Sequence, residues 1–389
     1  MEQFGRIKLS QEQLSSLQTP CYVVNENKLE DNLRILHHVQ QESGAKILLA
    51  FKGFAMWSVA PLVSKYLSGV SASSVSEALL GNEYYEGDLH VYAPAYSPKD
   101  LAQHVEVANH IVFNSPSQWA KHRDFMAKHS DVKCGLRINP EQTESEVALY
   151  DPSAPFSRLG TTLKNFTENI EKLEGINGLH FHNLCEMNVD ALERTLRTVE
   201  EKFSFFFENI SWINFGGGHH ITRSDYKVER LIELIKEFKA KYNLEVYLEP
   251  GEAIGLNTGV LVTQVMDVFK NGMDIAIMDT SATCHMPDVL EMPYRPYVQN
   301  AGEPNEKPHT FRLGGPSCLA GDVIGDYSFD SPLKEGDYLT FGDMAHYTMV
   351  KTTTFNGINL PSIYIYNENE DSLRAVKHFG YSDYKSRLS

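Results

Sequence analysis

The run Ile47–Phe51, ILLAF, is the first of eight short apolar or β-branched runs between residues 46 and 249. Between the runs, apolar residues recur at helical spacing, as in Leu192, Leu196 and Val199. Eight strand and helix units in series predict an α/β fold, a closed parallel (β/α)8 barrel of the TIM type, with an open doubly wound sheet as the alternative. The other predicted strands are Gly69–Ala72, His90–Ala93, Ile111–Asn114, Gly135–Asn139, Leu179–Asn183, Trp212–Phe215 and Val246–Glu249.

Strand-like runs broken by proline and glycine follow Gly251 and predict a C-terminal, mostly antiparallel β domain. We assign residues 26–254 to the barrel, and residues 1–25 and 255–389 to the β domain. The stretch Met286–Pro308 holds five prolines without clear periodicity and is predicted to be a surface excursion. The strands predicted in this domain are Val260–Phe269, Asp274–Asp279, His309–Leu313, Tyr338–Phe341, Tyr347–Val350 and Ser362–Tyr366.

The composition narrows the class of protein. With 389 residues and 42% hydrophobic content the chain can bury a large core, and its formal net charge of -16 has the wrong sign for nucleic-acid binding. A small cationic substrate suits this charge better. The sequence contains no run of eighteen consecutive apolar residues, so we expect a cytoplasmic protein with no membrane partner. The five scattered cysteines contain no Cys-x-x-Cys pair, which argues against a disulfide framework and a structural zinc site.

Lys52 follows the first predicted strand, so an apolar strand would deliver one amine to the barrel mouth. Loss of water around such an amine lowers its pKa toward a nucleophilic free base. A lysine at the end of a strand is otherwise usually a solvated side chain. The choice between these interpretations depends on its neighbours.

Two further motifs end predicted barrel strands. Gly216, Gly217 and Gly218 follow a strand and would let backbone N–H groups approach a phosphate, although a tight turn explains three glycines equally well. The spacing does not match a dinucleotide fingerprint. Glu249 ends the eighth predicted strand, where a buried carboxylate requires a cationic partner.

Histidines and one cysteine are weaker candidates. His180 and His182 share one strand face and could bind zinc with His219, His220 or His285, but no third ligand stands at a diagnostic spacing. Packed or ring-stacking histidines are the better interpretation, so no metal is predicted. Cys318 lies in a Gly/Pro loop rather than an apolar run, which is unusual for a cysteine that only fills a core.

Together and in order, seven segments resemble the fold-III pyridoxal-phosphate (PLP) decarboxylases, the alanine-racemase-like group that includes ornithine, arginine and diaminopimelate decarboxylases. The resemblance spans nearly the whole chain and is most specific for the branch that acts on carboxynorspermidine and carboxyspermidine. These segments are LLAFKGF (48–54), FSRLG (156–160), LHFHNLCE (179–186), FGGGHH (215–220), YLEPGEAI (247–254), GPSCLAGD (315–322) and AHYTMVKTTTFNG (345–357).

The resemblance implies roles for residues at matching positions. It implies that Lys52 carries PLP covalently, that His182 stacks on the cofactor ring, and that Glu249 keeps the ring nitrogen protonated. The phosphate would be held by the glycines at positions 216–218 and by Tyr347. Cys318 would protonate the carbon that loses CO2, within a homodimer whose two active sites are shared between subunits.

Two departures from the family pattern concern acids. Glu252 stands where many relatives have an arginine that meets the phosphate, and Leu319 stands where relatives acting on ornithine or diaminopimelate have an acid. Asn183-Leu184-Cys185 also replaces the usual x-Gly-Ser after the histidine, which removes one expected phosphate contact. The pattern favours a longer substrate with internal and terminal amines. We predict that Glu252, Asp288 and Asp322 bind this carboxylated polyamine.

Three alternatives remain open from the sequence. The first is another decarboxylase, or a racemase, on the same scaffold. A non-catalytic PLP-binding regulator is the second, although it would have no need for the thiol of Cys318. The third is a metal-dependent barrel hydrolase, which would contain stoichiometric zinc and no visible chromophore.

Overall fold

The eight predicted strands form a closed parallel barrel in the computed structural model of the protein, which describes residues 7–144 and 150–389. The strands pair in chain order, and the eighth closes the barrel against the first. The barrel prediction is therefore confirmed, and the open-sheet alternative is wrong. Strand limits differ from the predicted ones by at most three residues: Lys46–Ala50, Gly69–Ala72, Asp88–Tyr92, His110–Phe113, Lys133–Arg137, Gly178–His180, Trp212–Asn214 and Glu245–Leu248.

Helices alternate with these strands, as their apolar spacing predicts. Val189–Phe203, for example, buries Leu192, Leu196 and Val199 on one face. Shorter 3-10 helices cover Trp57–Val59, Ile170–Lys172, Ser204–Asn209 and Phe355–Gly357. The α-helices are Gln11–Ser16, Glu26–Ser43, Ala60–Tyr66, Val75–Tyr84, Pro98–His104, Pro116–Met126, Leu163–Thr167, Val189–Phe203, Val228–Tyr242, Glu252–Gly255, Ala282–His285, Asp288–Glu291 and Tyr381–Ser386.

The largest ring in the barrel interior is that of Trp212, and two glycines accommodate it. Trp212 is fully buried and clusters with Leu48, Val112 and Tyr247. A Cβ atom added to Gly178 would lie 1.9 Å from Trp212 Cε2, and one added to Gly135 would lie 2.4 Å from Trp212 Cη2. Glycine at both positions is therefore required by the indole, because close-packed interiors do not absorb an extra methyl group without a shift of their neighbours.

Gly178→Ala should lower the free energy of unfolding by about 1–3 kcal/mol, since the methyl group overpacks the barrel against Trp212. Urea denaturation is the measurement. Gly380→Ala is the control, because no neighbouring atom lies within 4 Å of its added Cβ. Adding Trp212→Phe to Gly178→Ala should recover part of the loss; a double variant less stable than both single variants would contradict this cause.

The residues after the barrel form an eight-stranded sheet together with Cys21–Asn25. Cys21–Asn25 runs parallel to Ser362–Asn367, and Met273–Met278 runs parallel to His309–Gly314, whereas the other pairs are antiparallel. The prediction of a mostly antiparallel domain is confirmed. The order is Val323–Phe329, His309–Gly314, Met273–Met278, Gly259–Asn271, Cys21–Asn25, Ser362–Asn367 and Ser372–Lys377, and Tyr338–Gly342 pairs with Gly259–Asn271.

Two predictions in this part of the chain are wrong. Tyr347–Val350 is a turn rather than a strand, because Tyr347 has a φ of 28° and its carbonyl accepts hydrogen bonds from the N–H groups of Val350 and Lys351. The stretch 286–308 is not wholly a surface excursion. Met286 and Val298 are buried in the core of the sheet unit, because the proline-rich path folds back onto its apolar face.

Contacts within the chain define two compact units. The barrel unit covers Glu30–Ile254, and the sheet unit combines the residues up to Leu29 with Gly255–Ser389. Of the helices in the described residues, none combines the length and apolar character needed to cross a bilayer.

Candidate active site

Lys52 lies in the turn that follows the first barrel strand, two residues after Ala50. Gly53 N–H donates to the Ala50 carbonyl at 3.0 Å, which closes this turn at the carboxyl end of the barrel. Lys52 keeps solvent access, yet the protein atoms around it lower the pKa of its amine to about 8, mainly by withdrawing water and further by the charge of Arg137. An amine with this pKa is partly unprotonated near neutral pH and can act as a nucleophile.

Glu249 follows the eighth strand directly, and its carboxylate points into the barrel mouth with 6% of the residue exposed. Asn214 Nδ2 donates to Glu249 Oε1 at 2.8 Å. Burial raises the pKa of Glu249, and the hydrogen bond from Asn214 and the charge of Lys52 oppose this rise. The ionised form is therefore poorly stabilised by the protein alone and would gain from a nearby cation.

The histidines beside Glu249 do not supply that cation. His180 Nε2 lies 3.5 Å from Glu249 Oε2, and His90 Nδ1 lies 3.9 Å from Glu249 Oε1. Burial lowers the pKa of both histidines well below the ordinary value, and the charges of Arg137 and Lys52 lower that of His180 further. Both rings are consequently neutral at physiological pH.

The three glycines occupy the loop after the seventh strand. Gly216 N–H donates to Asn214 Oδ1 at 2.8 Å, and Gly217 N–H donates to His182 Nδ1 at 3.2 Å. A Cβ atom at Gly217 would lie 2.4 Å from the Glu249 carbonyl oxygen, so this position admits only glycine. Because His182 Nδ1 accepts a hydrogen bond, the neutral ring carries its hydrogen on Nε2. Burial, followed by the charge of Lys52, lowers the His182 pKa well below the ordinary value.

The loop that carries Cys318 belongs to the sheet unit and is held by a buried carboxylate. Asp322 is 4% exposed and accepts hydrogen bonds from Ser281 Oγ at 2.9 Å, Ser317 N–H at 3.2 Å and Thr283 N–H at 3.3 Å. Cys318 itself is exposed, and its N–H donates to Asn356 Oδ1 at 2.8 Å. These contacts fix the backbone of the loop and leave the thiol accessible.

Tyr347 and Asp288 also lie in the sheet unit and are connected through one lysine. Lys351 Nζ is 2.5 Å from Asp288 Oδ1 and 5.9 Å from the centre of the Tyr347 ring. The carboxylate of Asp288 thus already has a cationic partner. An amine of a substrate would have to compete with Lys351 for it.

The structure thus brings seven predicted residues together at the mouth of the barrel unit and assigns four to the sheet unit. At the barrel mouth are Lys52, His182, Gly216–Gly218, Glu249 and Glu252; in the sheet unit are Cys318, Tyr347, Asp288 and Asp322. Sequence reasoning missed Asn214, Glu186 and His90. The position of Asn214 at the end of the strand before the glycines was a signal, since the ends of barrel strands carry functional groups.

Comparison with known families agrees with this geometry. The family model described as pyridoxal-dependent decarboxylase, C-terminal sheet domain, matches residues 21–345. The chain belongs to this family. The predicted family, the predicted class of enzyme and the predicted cofactor of this pyridoxal-dependent decarboxylase are thereby confirmed.

Individual relatives of the decarboxylase match 95% or more of its length. A carboxynorspermidine/carboxyspermidine decarboxylase from Campylobacter jejuni is 44% identical over 95% of this chain and 98% of its own. A carboxyaminopropylagmatine decarboxylase from Synechocystis is 44% identical over 100% of both chains. The crystal structure of carboxynorspermidine decarboxylase from Campylobacter jejuni, in complex with norspermidine, superposes with a TM-score of 0.88 at 43% identity, covering 95% of this chain and 100% of that one.

The residues at the barrel mouth fit pyridoxal phosphate. Lys52 provides an amine whose pKa is about 8, and Glu249 provides a buried carboxylate beside histidines that are neutral. Gly217 leaves the space between Glu249 and His182 open, since its added Cβ would lie 3.2 Å from His182 Cε1. The amine of Lys52 suits the carbonyl group of the cofactor, and the carboxylate of Glu249 suits its protonated ring nitrogen. The space beside His182 suits one face of the cofactor ring.

Proposed function

We propose that this decarboxylase removes the α-carboxylate of carboxynorspermidine and carboxyspermidine, which yields norspermidine and spermidine in polyamine biosynthesis. The observation that carries the proposal is that Lys52 and the buried Glu249 stand at the ends of neighbouring barrel strands. The full-length relatives support the choice of substrate class, because they are named for carboxylated polyamine substrates.

Each barrel residue has one task in this proposal. Lys52 binds the cofactor covalently through its amine, His182 packs against the cofactor ring, and the backbone at Gly216–Gly218 holds the phosphate. When bound, the cofactor supplies the electron sink that receives the electron pair left when CO2 departs. Glu249 keeps the ring nitrogen protonated, because an ionised carboxylate at that position is stabilised only beside a cation.

The thiol of Cys318 holds the proton that is delivered to the substrate carbon after CO2 leaves. Asp322 keeps the loop in place through its three hydrogen bonds, which supports a positioning role in addition to the predicted role in substrate binding. We further propose that the enzyme is a cytoplasmic homodimer in which Cys318 of one subunit serves the site of the other. Sedimentation of the purified protein tests the dimer, and a single-chain mass would contradict it.

Cys318→Ala should slow turnover and lower the ratio of polyamine product to CO2 below one, because protonation of the substrate carbon no longer has its donor. Gas release and amine product are measured on the same sample. Cys134→Ala is a matched control, since that thiol is buried in the strand Lys133–Arg137 and no charged group of the proposed site shifts its pKa, which burial raises to about 12. An unchanged ratio in Cys318→Ala would show that another group is the donor.

Carboxyaminopropylagmatine is the second candidate substrate, since the Synechocystis relative named for it matches this chain at the same identity over its full length. Its agmatine end carries a guanidinium, whereas the first candidates end in an ammonium. The two ions differ in shape and in the number of N–H donors, so one carboxylate site can distinguish them.

The deciding experiment measures CO2 release from the purified, PLP-loaded enzyme with a panel of substrates. Carboxynorspermidine and carboxyspermidine should be the best substrates, and carboxyaminopropylagmatine the competing one. Ornithine, arginine, lysine and diaminopimelate test the other family activities. If the enzyme releases CO2 from none of these compounds, a racemase or a PLP-binding regulator on this scaffold becomes the better interpretation.

A further inference from the structure

A cluster of three side chains, Glu186, His220 and Glu252, lies on one wall of the barrel unit. One ligand atom from each lies within 4.8 Å of the others. Glu186 is exposed, Glu252 is half-buried, and His220 is 5% exposed. We call this the Glu186/His220/Glu252 cluster, and neither its histidine nor Glu186 has a role in the chemistry proposed above.

Backbone pairing holds two members of the cluster in register. Met187 N–H donates to the Gly218 carbonyl at 2.9 Å, and His220 N–H donates to the Met187 carbonyl at 3.1 Å. Met187 and His219 form an isolated parallel bridge. The loop that carries Glu186 is therefore tied to the loop that carries His220, which limits how far their side chains can separate.

Hydrogen bonding determines which ring nitrogen of His220 carries the hydrogen and which accepts a hydrogen bond. Arg223 Nη1 approaches His220 Nδ1 at 3.4 Å, and an arginine can only donate, so Nδ1 is the acceptor. Arg223 is itself held by Asp225 Oδ1 at 2.5 Å and by the Glu186 carbonyl at 3.3 Å. The hydrogen of the neutral ring consequently sits on Nε2, which lies 3.3 Å from Glu252 Oε1.

This arrangement favours an organic cation over a metal ion. His220 Nε2 is buried and lies near Glu252 Oε1, but its N–H makes no well-directed hydrogen bond with any group in the described residues, so this N–H is available to the carboxylate of Glu252 when that carboxylate turns toward a ligand. To coordinate a metal, Nε2 would have to lose its hydrogen, and the hydrogen on Nδ1 would then face Arg223. A protonated amine requires only the two carboxylates as hydrogen-bond acceptors. The imidazole can hold the carboxylate of Glu252 in place without contacting the amine.

The cluster adjoins the turn that carries the proposed cofactor lysine. A Cβ atom added to Gly53 would lie 2.7 Å from Gly251 Cα and 2.9 Å from the Glu252 nitrogen, so the two strand ends touch there. The pKa of Cys185 responds to charges on both sides of this junction. Burial raises its pKa to about 11, the carboxylates of Glu186 and Glu252 add to the rise, and the ammonium of Lys52 opposes it.

We propose that Glu186 and Glu252 form a subsite for a protonated nitrogen of the substrate chain, and that His220 is a positioning residue which orients Glu252. The inference rests on the proposed function, because the ligand is the amine-bearing end of the carboxylated polyamine. Two carboxylates held this close repel each other, and a cation between them removes the repulsion. Since the cluster adjoins the Lys52 turn, we assign the subsite to the internal secondary amine, which is fewer bonds from the carbon that loses CO2 than the terminal amine is.

The test measures norspermidine binding to the PLP-loaded enzyme by calorimetry, independently of turnover. Glu252→Gln and Glu186→Gln should each weaken binding by roughly tenfold or more, while the visible absorbance of the cofactor stays unchanged. Glu208→Gln is the matched control, because this exposed glutamate lies in the 3-10 helix Ser204–Asn209 outside the cluster. Affinity within about twofold of wild type in both cluster variants would overturn the subsite.

Two further arms separate the possible outcomes. His220→Phe should raise KM about tenfold with little change in kcat, and His220→Gln, which keeps an N–H donor, should restore KM. Titration with ZnCl2 should show no stoichiometric binding that depends on Glu252, and such binding would replace the amine subsite by a metal site. If norspermidine binding depends on both acids but no carboxylated polyamine releases CO2, the subsite stands and the proposed function fails.

Discussion

Lys52→Ala should abolish turnover and leave a protein that cannot retain the cofactor covalently. Lys52 lies in the turn at the barrel mouth, where its surroundings lower the pKa of its amine to about 8. In the described residues no other lysine has its pKa lowered that far, and Lys46 at the opposite end of the same strand has its pKa raised by Glu245 and Asp88. Borohydride reduction followed by peptide mapping measures the attachment, and cofactor fixed to the variant would contradict the assignment.

The apoenzyme offers a second measurement on the same lysine. Only the neutral amine attacks a carbonyl, so the rate of cofactor capture should rise with pH up to about 8 and level off above it. The capture rate reaches its plateau at a lower pH than it would for an ordinary lysine, because a lysine with a lowered pKa loses its proton at a lower pH. Lys99→Ala, a surface change in the helix Pro98–His104, should leave the profile unchanged. A capture rate that keeps rising to pH 10 would mean that the amine titrates as in water.

The barrel could be predicted because each of its strands is a local pattern. A run such as ILLAF is apolar throughout, as expected for a parallel strand with both faces covered, and helices of clear period separate the runs. The strand Cys21–Asn25 could not be found in the same way. It is buried between Gly259–Asn271 and Ser362–Asn367, more than two hundred residues away in sequence, and such partners are set by tertiary packing.

The candidate site was predictable where a residue terminates a strand and unpredictable where loops meet. Lys52 and Glu249 each follow a barrel strand. Because the carboxyl ends of all barrel strands lie at the same end of the barrel, the strand assignment alone predicts that these two residues lie at one mouth. Glu186 comes from the loop after the sixth strand, and nothing in the sequence indicates that the backbone of Met187 pairs with His219 to bring it beside Glu252. The turn at Tyr347 was misread as a strand because its residues are apolar and β-branched, and only its φ of 28° reveals the turn.

The polar interior of the barrel explains why one carboxylate can remain there. His90 stacks near His110 with ring centres 3.9 Å apart, and Tyr247 lies 4.4 Å from His90. Burial lowers the pKa of His110 to about 4, so the rings beneath Glu249 stay neutral. Their dipoles can adapt to a negative charge without adding a positive one, which leaves the role of counter-ion to the ligand.

Glu249→Gln should therefore lower the rate of decarboxylation by roughly two to three orders of magnitude, the scale expected when one preorganised electrostatic stabiliser is removed. The cofactor should still bind, because Lys52 is intact and the amide oxygen of glutamine can accept the hydrogen bond from Asn214. Single-turnover CO2 release measures the chemical step apart from binding. A rate within a few fold of wild type would contradict the role of Glu249 at the ring nitrogen.

Stability provides the control for this variant. Burial raises the pKa of Glu249 in the folded chain above its value in the unfolded chain, so ionisation opposes folding at every pH above the ordinary range of a glutamate. Removing the charge should leave the apoenzyme at pH 7 as stable as wild type or more stable, and the difference should disappear as the pH falls below that range. A catalytic loss with undiminished stability can come only from the missing charge, whereas a less stable apoenzyme would attribute it to disturbed packing around Asn214 and His180.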